Sequence, residues 1–341
     1  MAVDLQDPES PLGPQLEEFA ALARAAGAEI VGSVVQRLPR VDPATLVGGG
    51  KAREIAQAAE EAGADALFVF NDLRPRQRRN LEKIAPLQII DRTMLILDVF
   101  AQHARSREGK LQVELAQLRY RQANLIGVGT ELSRLGGGIG TRGPGETKLE
   151  TDRRKIQLRI STLRRALDDV RRQRANRRAA NGREPLVALV GYTNAGKSSL
   201  LNRLVSGRDA FVADQPFATL DPLVRRAWIA DDVTIRLADT VGFVTKLPEE
   251  LVTAFRATLE ELESATLLVH VIDGSNPDWE RQKKAVETTL DELGLSDKPV
   301  LPVFNKSDRP SRDVPQDALR VSAVTGAGIA ELRDRLAARL G

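Results

Sequence analysis

The run Gly191-Tyr192-Thr193-Asn194-Ala195-Gly196-Lys197-Ser198 sets two glycines, a lysine and a hydroxyl at the spacing with which a backbone turn wraps a row of phosphates. The N–H groups of such a turn converge on an anion, and the helix behind it, opening at Ser199, adds its positive end. Lys197 then reaches the β- and γ-phosphates, while the Ser198 hydroxyl takes a Mg²⁺ position. A G-x₄-G-K-S match also arises by chance, so its meaning depends on whether the rest of a nucleotide site follows.

The remaining parts occur in order. Asp239-Thr-Val-Gly242 supplies a carboxylate that holds Mg²⁺ through water and a glycine N–H for the γ-phosphate. Phe217-Ala218-Thr219 lies between these two motifs, and Thr219 is the candidate second hydroxyl on Mg²⁺; its bland alternative is an ordinary loop threonine. Asn305-Lys306-Ser307-Asp308 follows an apolar run, at the strand end where open α/β sheets bind ligands. A carboxylate there accepts two parallel hydrogen bonds from guanine N1–H and its exocyclic amine, and adenine offers neither. Asp308 therefore reads the base, with the Lys306 stem covering the ring face and Asn305 tying this loop to the phosphate loop. Ser322-Ala323 fits a backbone N–H contact to guanine O6. In isolation N-K-S-D is a polar turn; in this company the set specifies GTP and GDP. The three residues expected to carry hydrolysis are Lys197, Thr219 and Gly242.

One substitution bears on rate. Phe243 stands where a water-orienting glutamine is expected, and a phenyl ring cannot orient water. Hydrolysis by the chain alone should be slow, with positioning supplied by a partner, another segment or a cation. Asn194 is a candidate ligand for K⁺ beside the phosphates, or simply a brace for the loop.

These residues need a rigid frame. Apolar runs at 186–190, 234–238, 267–273 and 299–304 predict buried strands, with a helix after Lys197 and another over 328–340. Residues 184–341 form a GTPase domain on a mostly parallel sheet. In the first hundred residues, runs at 30–35, 66–70 and 88–90 predict short buried strands, with helices near 51–62, 75–84 and 92–104. That pattern makes 1–104 a small α/β domain. Val47-Gly-Gly-Gly-Lys51 inside it lacks the G-x₄-G-K spacing and reads as a helix-start turn.

Between them, residues 105–183 carry 20 Lys/Arg against 8 Asp/Glu, while both flanks are net acidic. Leu111, Leu115, Leu118 and Leu125 give one helix its apolar side; Leu149, Ile156, Ile160, Leu163, Leu167 and Val170 give a second, starting near Glu146. The second helix turns Arg153, Arg154, Arg159, Arg164, Arg165, Arg171, Arg172 and Arg174 the other way. Such a face is commonly just solvated. Here eleven cations between 153 and 178 meet only Asp168 and Asp169, which argues for RNA. The loop 135–146, dense in glycine, suits insertion into a nucleic-acid cavity or a second anion site.

No apolar run approaches the ~20 residues of a membrane span. Without cysteine, and with only His103 and His270, thiolate and histidine metal sites are excluded. His270 lies in a strand pattern and reads as structural. Composition fits a soluble, cytoplasmic monomer.

Gln112-Val-Glu-Leu-Ala-Gln117, the 136–147 run Gly-Gly-Gly-Ile-Gly-Thr-Arg-Gly-Pro-Gly-Glu-Thr, Leu149-Glu-Thr-Asp-Arg-Arg154, the phosphate loop, Phe217-Ala-Thr-Leu-Asp-Pro222 and Asp239-Thr-Val-Gly-Phe243 together resemble the HflX family of translation-associated GTPases. The resemblance runs from about residue 28 to the C-terminus. It implies an N-terminal α/β domain, a helical hairpin and a G domain, binding to the large ribosomal subunit and its RNA, and ribosome splitting or rescue. Lys148 replaces the family's usual glutamine, and the extra C-terminal domain of many members has no counterpart after residue 341. Two functions follow: a GTP-driven ribosome-splitting enzyme, or a GTP-gated RNA-binding or assembly switch.

Overall fold

The computed structural model describes residues 1–5, 12–135, 144–180, 184–205, 223–230, 233–245, 261–311 and 313–340. Its contacts divide the chain into two units, residues 1–102 with 111–167 and residues 103–110 with 168–341.

The first unit opens with β1 (Ala2–Asp4), α1 (Leu12–Ala25), β2 (Val35–Arg37) and α2 (Gly49–Glu61). β3 (Ala66–Val69), α3 (Pro75–Ile84), β4 (Gln88–Asp91) and α4 (Arg92–His103) follow. β1 pairs in parallel with β2, and β3 with β4. Phe70 N–H donates to Met1 O at 2.9 Å and Val3 N–H to Asn71 Oδ1 at 2.8 Å, which joins the two ladders. Val3, Leu46, Val47, Ile55, Val69, Leu81 and Ile89 form the core beneath them.

The expected strand at 30–35 is corrected. Residues 28–34 carry no regular structure, and Val31 is 56 % exposed. A strand needs a partner; here the register begins at Ala2 opposite Val35, so only Val35–Arg37 joins the ladder.

Two long helices come next: α5 (Arg107–Leu135, 29 residues) and α6 (Pro144–Ala180, 37 residues). Leu115, Ile160, Leu163 and Leu167 are buried together, with Leu111, Leu118 and Ile156 packed at their margin, so the helical spacing places the seam. Arg159 grips Glu114 with two hydrogen bonds, 2.7 and 2.9 Å. Exposed as it is, that pair is screened by solvent and adds little, and the seam holds the helices. Of the loop expected over 135–146, Leu135 instead closes α5 and 144–146 open α6, while 136–143 lie outside the described residues.

Arg78, Asp91 and Tyr120 bind α5 to the first sheet. Asp91 accepts from Arg78 Nη2 at 2.5 Å and from the Tyr120 hydroxyl at 2.6 Å, and the Arg78 guanidinium also donates to the Tyr120 oxygen. Burial, then the Asp91 charge, raises the phenol well above its usual range, so Tyr120 stays a donor.

The second unit holds a five-stranded sheet in the order β6-β7-β5-β8-β9, with α7 (Lys197–Leu204), α8 (Trp279–Glu292) and α9 (Ile329–Leu340). The strands are β5 (Leu186–Val190), β6 (Leu223–Ala230), β7 (Val233–Asp239), β8 (Leu267–Asp273) and β9 (Val300–Asn305). All pair in parallel except β6, which runs antiparallel to β7. β5 is buried along its whole length, because alternate residues face two layers. Val187 and Leu189 pack with Leu200, Leu204, Leu332 and Leu336; Leu186, Ala188 and Val190 pack on the other side with Leu268, Val286 and Leu290. Beyond β9, Phe304 N–H donates to Leu319 O and Val321 N–H to Phe304 O, both at 2.8 Å. Among the described residues, no helix is long and apolar enough to cross a membrane.

Candidate functional site

Parallel strands β5, β7, β8 and β9 all end on the same side of the sheet, and the chemistry hangs from those ends. β5 runs into the loop 191–196, and α7 starts at Lys197. Gly196 has φ +90, and a Cβ there would stand 2.3 Å from Asn305 Nδ2, so only glycine fits. At Gly191 a Cβ would meet Val271 O at 2.2 Å. Asn194 also turns left-handed, at φ 60, a conformation asparagine tolerates.

Lys197 is buried, with Nζ donating to Gly191 O at 3.0 Å and Tyr192 O at 2.9 Å. Burial pushes its ammonium down to about 8, against the favourable pull of Asp239. Ser198 Oγ donates to Asp239 Oδ2 at 2.5 Å, so the end of β7 meets the start of α7. Behind them Thr240 Oγ1 donates to Leu189 O at 2.6 Å. Ser199 continues the first turn of α7.

Gly242 lies against the loop: a Cβ would fall 2.8 Å from Thr193 Cα and 3.2 Å from Lys197 Nζ. The chain is sewn there. Thr193 N–H donates to Phe243 O at 2.8 Å and Phe243 N–H to Gly191 O at 3.1 Å. The Phe243 ring itself is buried with Tyr192, Leu262 and Leu268, and offers nothing polar to the loop.

Asn305, at the end of β9, joins three segments. Its Nδ2 donates to Ala195 O at 2.9 Å and its Oδ1 accepts from Ala323 N–H at 3.1 Å. Lys306, at φ 62, ion-pairs with Asp273 at 2.7 Å. Asp308 accepts from Ser322 Oγ at 2.5 Å, and that bond, ahead of other causes, holds its carboxyl below the usual range. The arrangement brings Gly191, Tyr192, Thr193, Asn194, Ala195, Gly196, Lys197, Ser198, Asp239 and Gly242 together at one end of the sheet. Asn305, Lys306, Asp308, Ser322 and Ala323 stand beside it. Phe217, Ala218 and Thr219 lie outside the described residues.

Three partners carry no signal in the sequence. Arg203 Nη2 donates to Val324 O at 2.6 Å and braces the loop after Ala323. Thr245 N–H donates to the Tyr192 hydroxyl at 3.0 Å, and Arg281 Nη1 donates to Thr245 Oγ1 at 3.1 Å. Neither stands in a recognisable motif; only Asp273, closing an apolar run, could have been singled out by position.

His270 is buried in β8, and burial, ahead of Lys283 and Lys197, lowers its imidazole to about 4. It is neutral at ordinary pH, as a structural histidine should be.

Known proteins match the whole layout. Residues 14–101 match the family described as GTP-binding GTPase N-terminal, 103–181 the GTP-binding GTPase Middle Region, and 186–306 the 50S ribosome-binding GTPase family. GTPase HflX of Lacrimispora saccharolytica is 48% identical over 340 residues, covering 97% of this chain and 80% of the relative. GTPase HflX of Escherichia coli K12 is 47% identical over 336 residues, covering 95% and 79%. Among solved structures, the GDP complex of SsGBP aligns over 99% of this chain and 97% of its own, at a TM-score of 0.52 and 24% identity, a likeness of fold.

Proposed function

From its membership of the HflX family of GTPases, to which the chain belongs and which makes it a GTP-hydrolysing enzyme, we propose that it works on the ribosome, binding the large subunit and splitting or rescuing stalled particles. The observation that carries this reading is the exposed arginine face of α6. Arg153, Arg154, Arg164 and Arg165 all stand in solvent on a helix whose apolar side is spent on α5. A cationic ridge without matching acids suits phosphates of ribosomal RNA, and the match to a family described as 50S ribosome-binding points the same way. The glycine-rich loop at 136–143 completes the insertion element in this reading. The working parts are an N-terminal domain over 1–104, the hairpin over 105–183 and the G domain over 184–341, acting as a monomer in the cytoplasm.

GTP lies with its phosphates on the 191–198 loop and its base between Lys306 and Asp308, with the Ala323 N–H toward guanine O6. The hydroxyl and carboxylate oxygens of Ser198 and Asp239, already 2.5 Å apart, are the hard donors Mg²⁺ prefers. Ser198 and Thr219 would hold the ion directly and Asp239 through water, and its charge would there offset that of the β- and γ-phosphates. Lys197 holds the same phosphates from the loop side, and Gly242 N–H faces the γ-phosphate. Phe243, turned into the core, leaves the attacking water unoriented, so turnover is slow until the ribosome, or K⁺ on Asn194, supplies the missing order.

The test is GTP turnover alone and with small subunits, large subunits and whole ribosomes, in K⁺ and in Na⁺, with sedimentation of the same mixtures. Stimulation by large subunits with GTP-dependent dissociation supports splitting. Nucleotide-dependent RNA binding with neither effect selects the second reading, a GTP-gated RNA-binding or assembly switch.

A further inference from the structure

The Tyr192 ring is buried in the core beside Phe243, yet its hydroxyl emerges at a polar junction that nucleotide contacts do not explain. Thr245 N–H donates to that oxygen at 3.0 Å, and the two hydroxyls of Tyr192 and Thr245 lie 2.7 Å apart. Arg281, from α8, donates through Nη1 to Thr245 Oγ1 at 3.1 Å, while its Nη2 sits 3.7 Å from Asp278. The Tyr192 hydroxyl accepts the Thr245 N–H and shares a hydrogen bond with Thr245 Oγ1, which also accepts from Arg281. One residue thus receives a phosphate-loop side chain and an α8 side chain.

Thr245 matters because of where it sits. Upstream, Asp239 is fixed by its register in β7 and by Ser198. Between them, Gly242 is pressed against Thr193 and Lys197, with the Phe243 backbone sewn to Gly191 and Thr193. Two residues past Phe243, the Tyr192–Thr245 junction adds a further anchor. We propose that Tyr192 and Arg281 are positioning residues for hydrolysis: through Thr245 they pin the segment carrying Gly242 against the phosphate loop, and they make α8 respond when that segment moves. Neither touches the reacting atoms. The inference rests on the reading of Gly242 as the γ-phosphate contact.

The experiment compares single-turnover GTP hydrolysis and GDP affinity in the full chain for Tyr192→Phe, Thr245→Val, Thr245→Ser, the Tyr192→Phe/Thr245→Val pair and Gly242→Ala. Phenylalanine keeps the ring in its pocket and deletes one oxygen, so folding is preserved, and a melting curve verifies it. Loss of a hydrogen bond worth about 1 kcal/mol predicts a three- to tenfold lower hydrolysis rate, with GDP affinity within about twofold. The pair should be slower than either single variant by less than about twofold, since both remove one junction, and Thr245→Ser should stay near the wild-type rate. A wild-type rate in Tyr192→Phe while Gly242→Ala is inactive overturns the pin. A wild-type rate in Gly242→Ala overturns the underlying assignment of Gly242, and the pin falls with it. Equal loss of rate and of GDP affinity in Tyr192→Phe makes the hydroxyl a mere support of the loop and also overturns it.

Discussion

Gly196→Ala tests the junction between the phosphate loop and the base loop with a single methyl group. The backbone there has φ +90, so any side chain costs roughly 1–2 kcal/mol before it touches anything. The new Cβ would also stand 2.3 Å from Asn305 Nδ2, a distance at which the amide must leave. Asn305 is 2% exposed and holds Ala195 O and Ala323 N–H at once. Losing those two bonds in a buried setting costs about 1–3 kcal/mol each, so with the backbone strain the variant should lose roughly 3–8 kcal/mol in all. Asn305→Ala alone forfeits the bonds but opens the space. Adding Gly196→Ala to it should then cost only the ~1–2 kcal/mol of backbone strain. A double-mutant cycle by urea unfolding without nucleotide, repeated on GDP affinity, should therefore show a coupling of about 2–6 kcal/mol. If Gly196→Ala costs the same in both backgrounds, the collision does not occur and the reasoning fails.

Asp308→Asn should weaken GDP by at least about a hundredfold, because an amide N–H₂ meets the guanine donors, and should favour xanthosine diphosphate instead; competition titration decides it. His270 makes the protein acid-sensitive. Its buried pKa of about 4 lies below the unfolded 6.5, so the unfolded chain takes up the proton first. Stability should fall by up to about 3 kcal/mol as pH drops from 6.5 towards 4, and His270→Val should flatten that slope in pH-dependent urea melts. Asp91→Ala strands the Arg78 guanidinium beside Tyr120 and should cost about 3–5 kcal/mol, seen as a lower melting midpoint.

In the GTPase half β5, β7, β8, β9 and the phosphate loop were legible because local and long-range demands coincide there, whereas β6 and α8 were not foreseen. A fully buried strand is an unbroken apolar run, and the phosphate loop needs glycine where a Cβ would strike Val271 or Asn305. The seam of α5 and α6 was legible for the same reason: leucine and isoleucine recur at the spacing of one helix face. Runs shorter than a strand were not. Ala2–Asp4 is three residues whose strand character comes entirely from pairing with Val35–Arg37, and that partnership displaced the strand expected at 30–35. Helix α1 does repeat Leu12, Leu16, Phe19, Leu22 and Ala23 at helical spacing, but Gly13-Pro14 at its start reads as a breaker. Thr245 and Arg281 escaped for a different reason. They are 36 residues apart, and only the fold brings a helix side chain to a loop hydroxyl.

Pro302 sits in β9, the last strand of the sheet. Phe304 donates its N–H away from β8, towards Leu319, and residues two apart in a strand point their donors the same way. The outward donor preceding Phe304 would be that of residue 302, and proline has none. One short stretch of the 319–321 chain covers the end of that edge, and the ring of Pro302 blunts what remains. A foreign strand arriving during synthesis or crowding finds an interrupted row of hydrogen-bonding groups, with the Val300 carbonyl also taken by Arg339 of α9, so this flank of the nucleotide fold resists edge-to-edge aggregation.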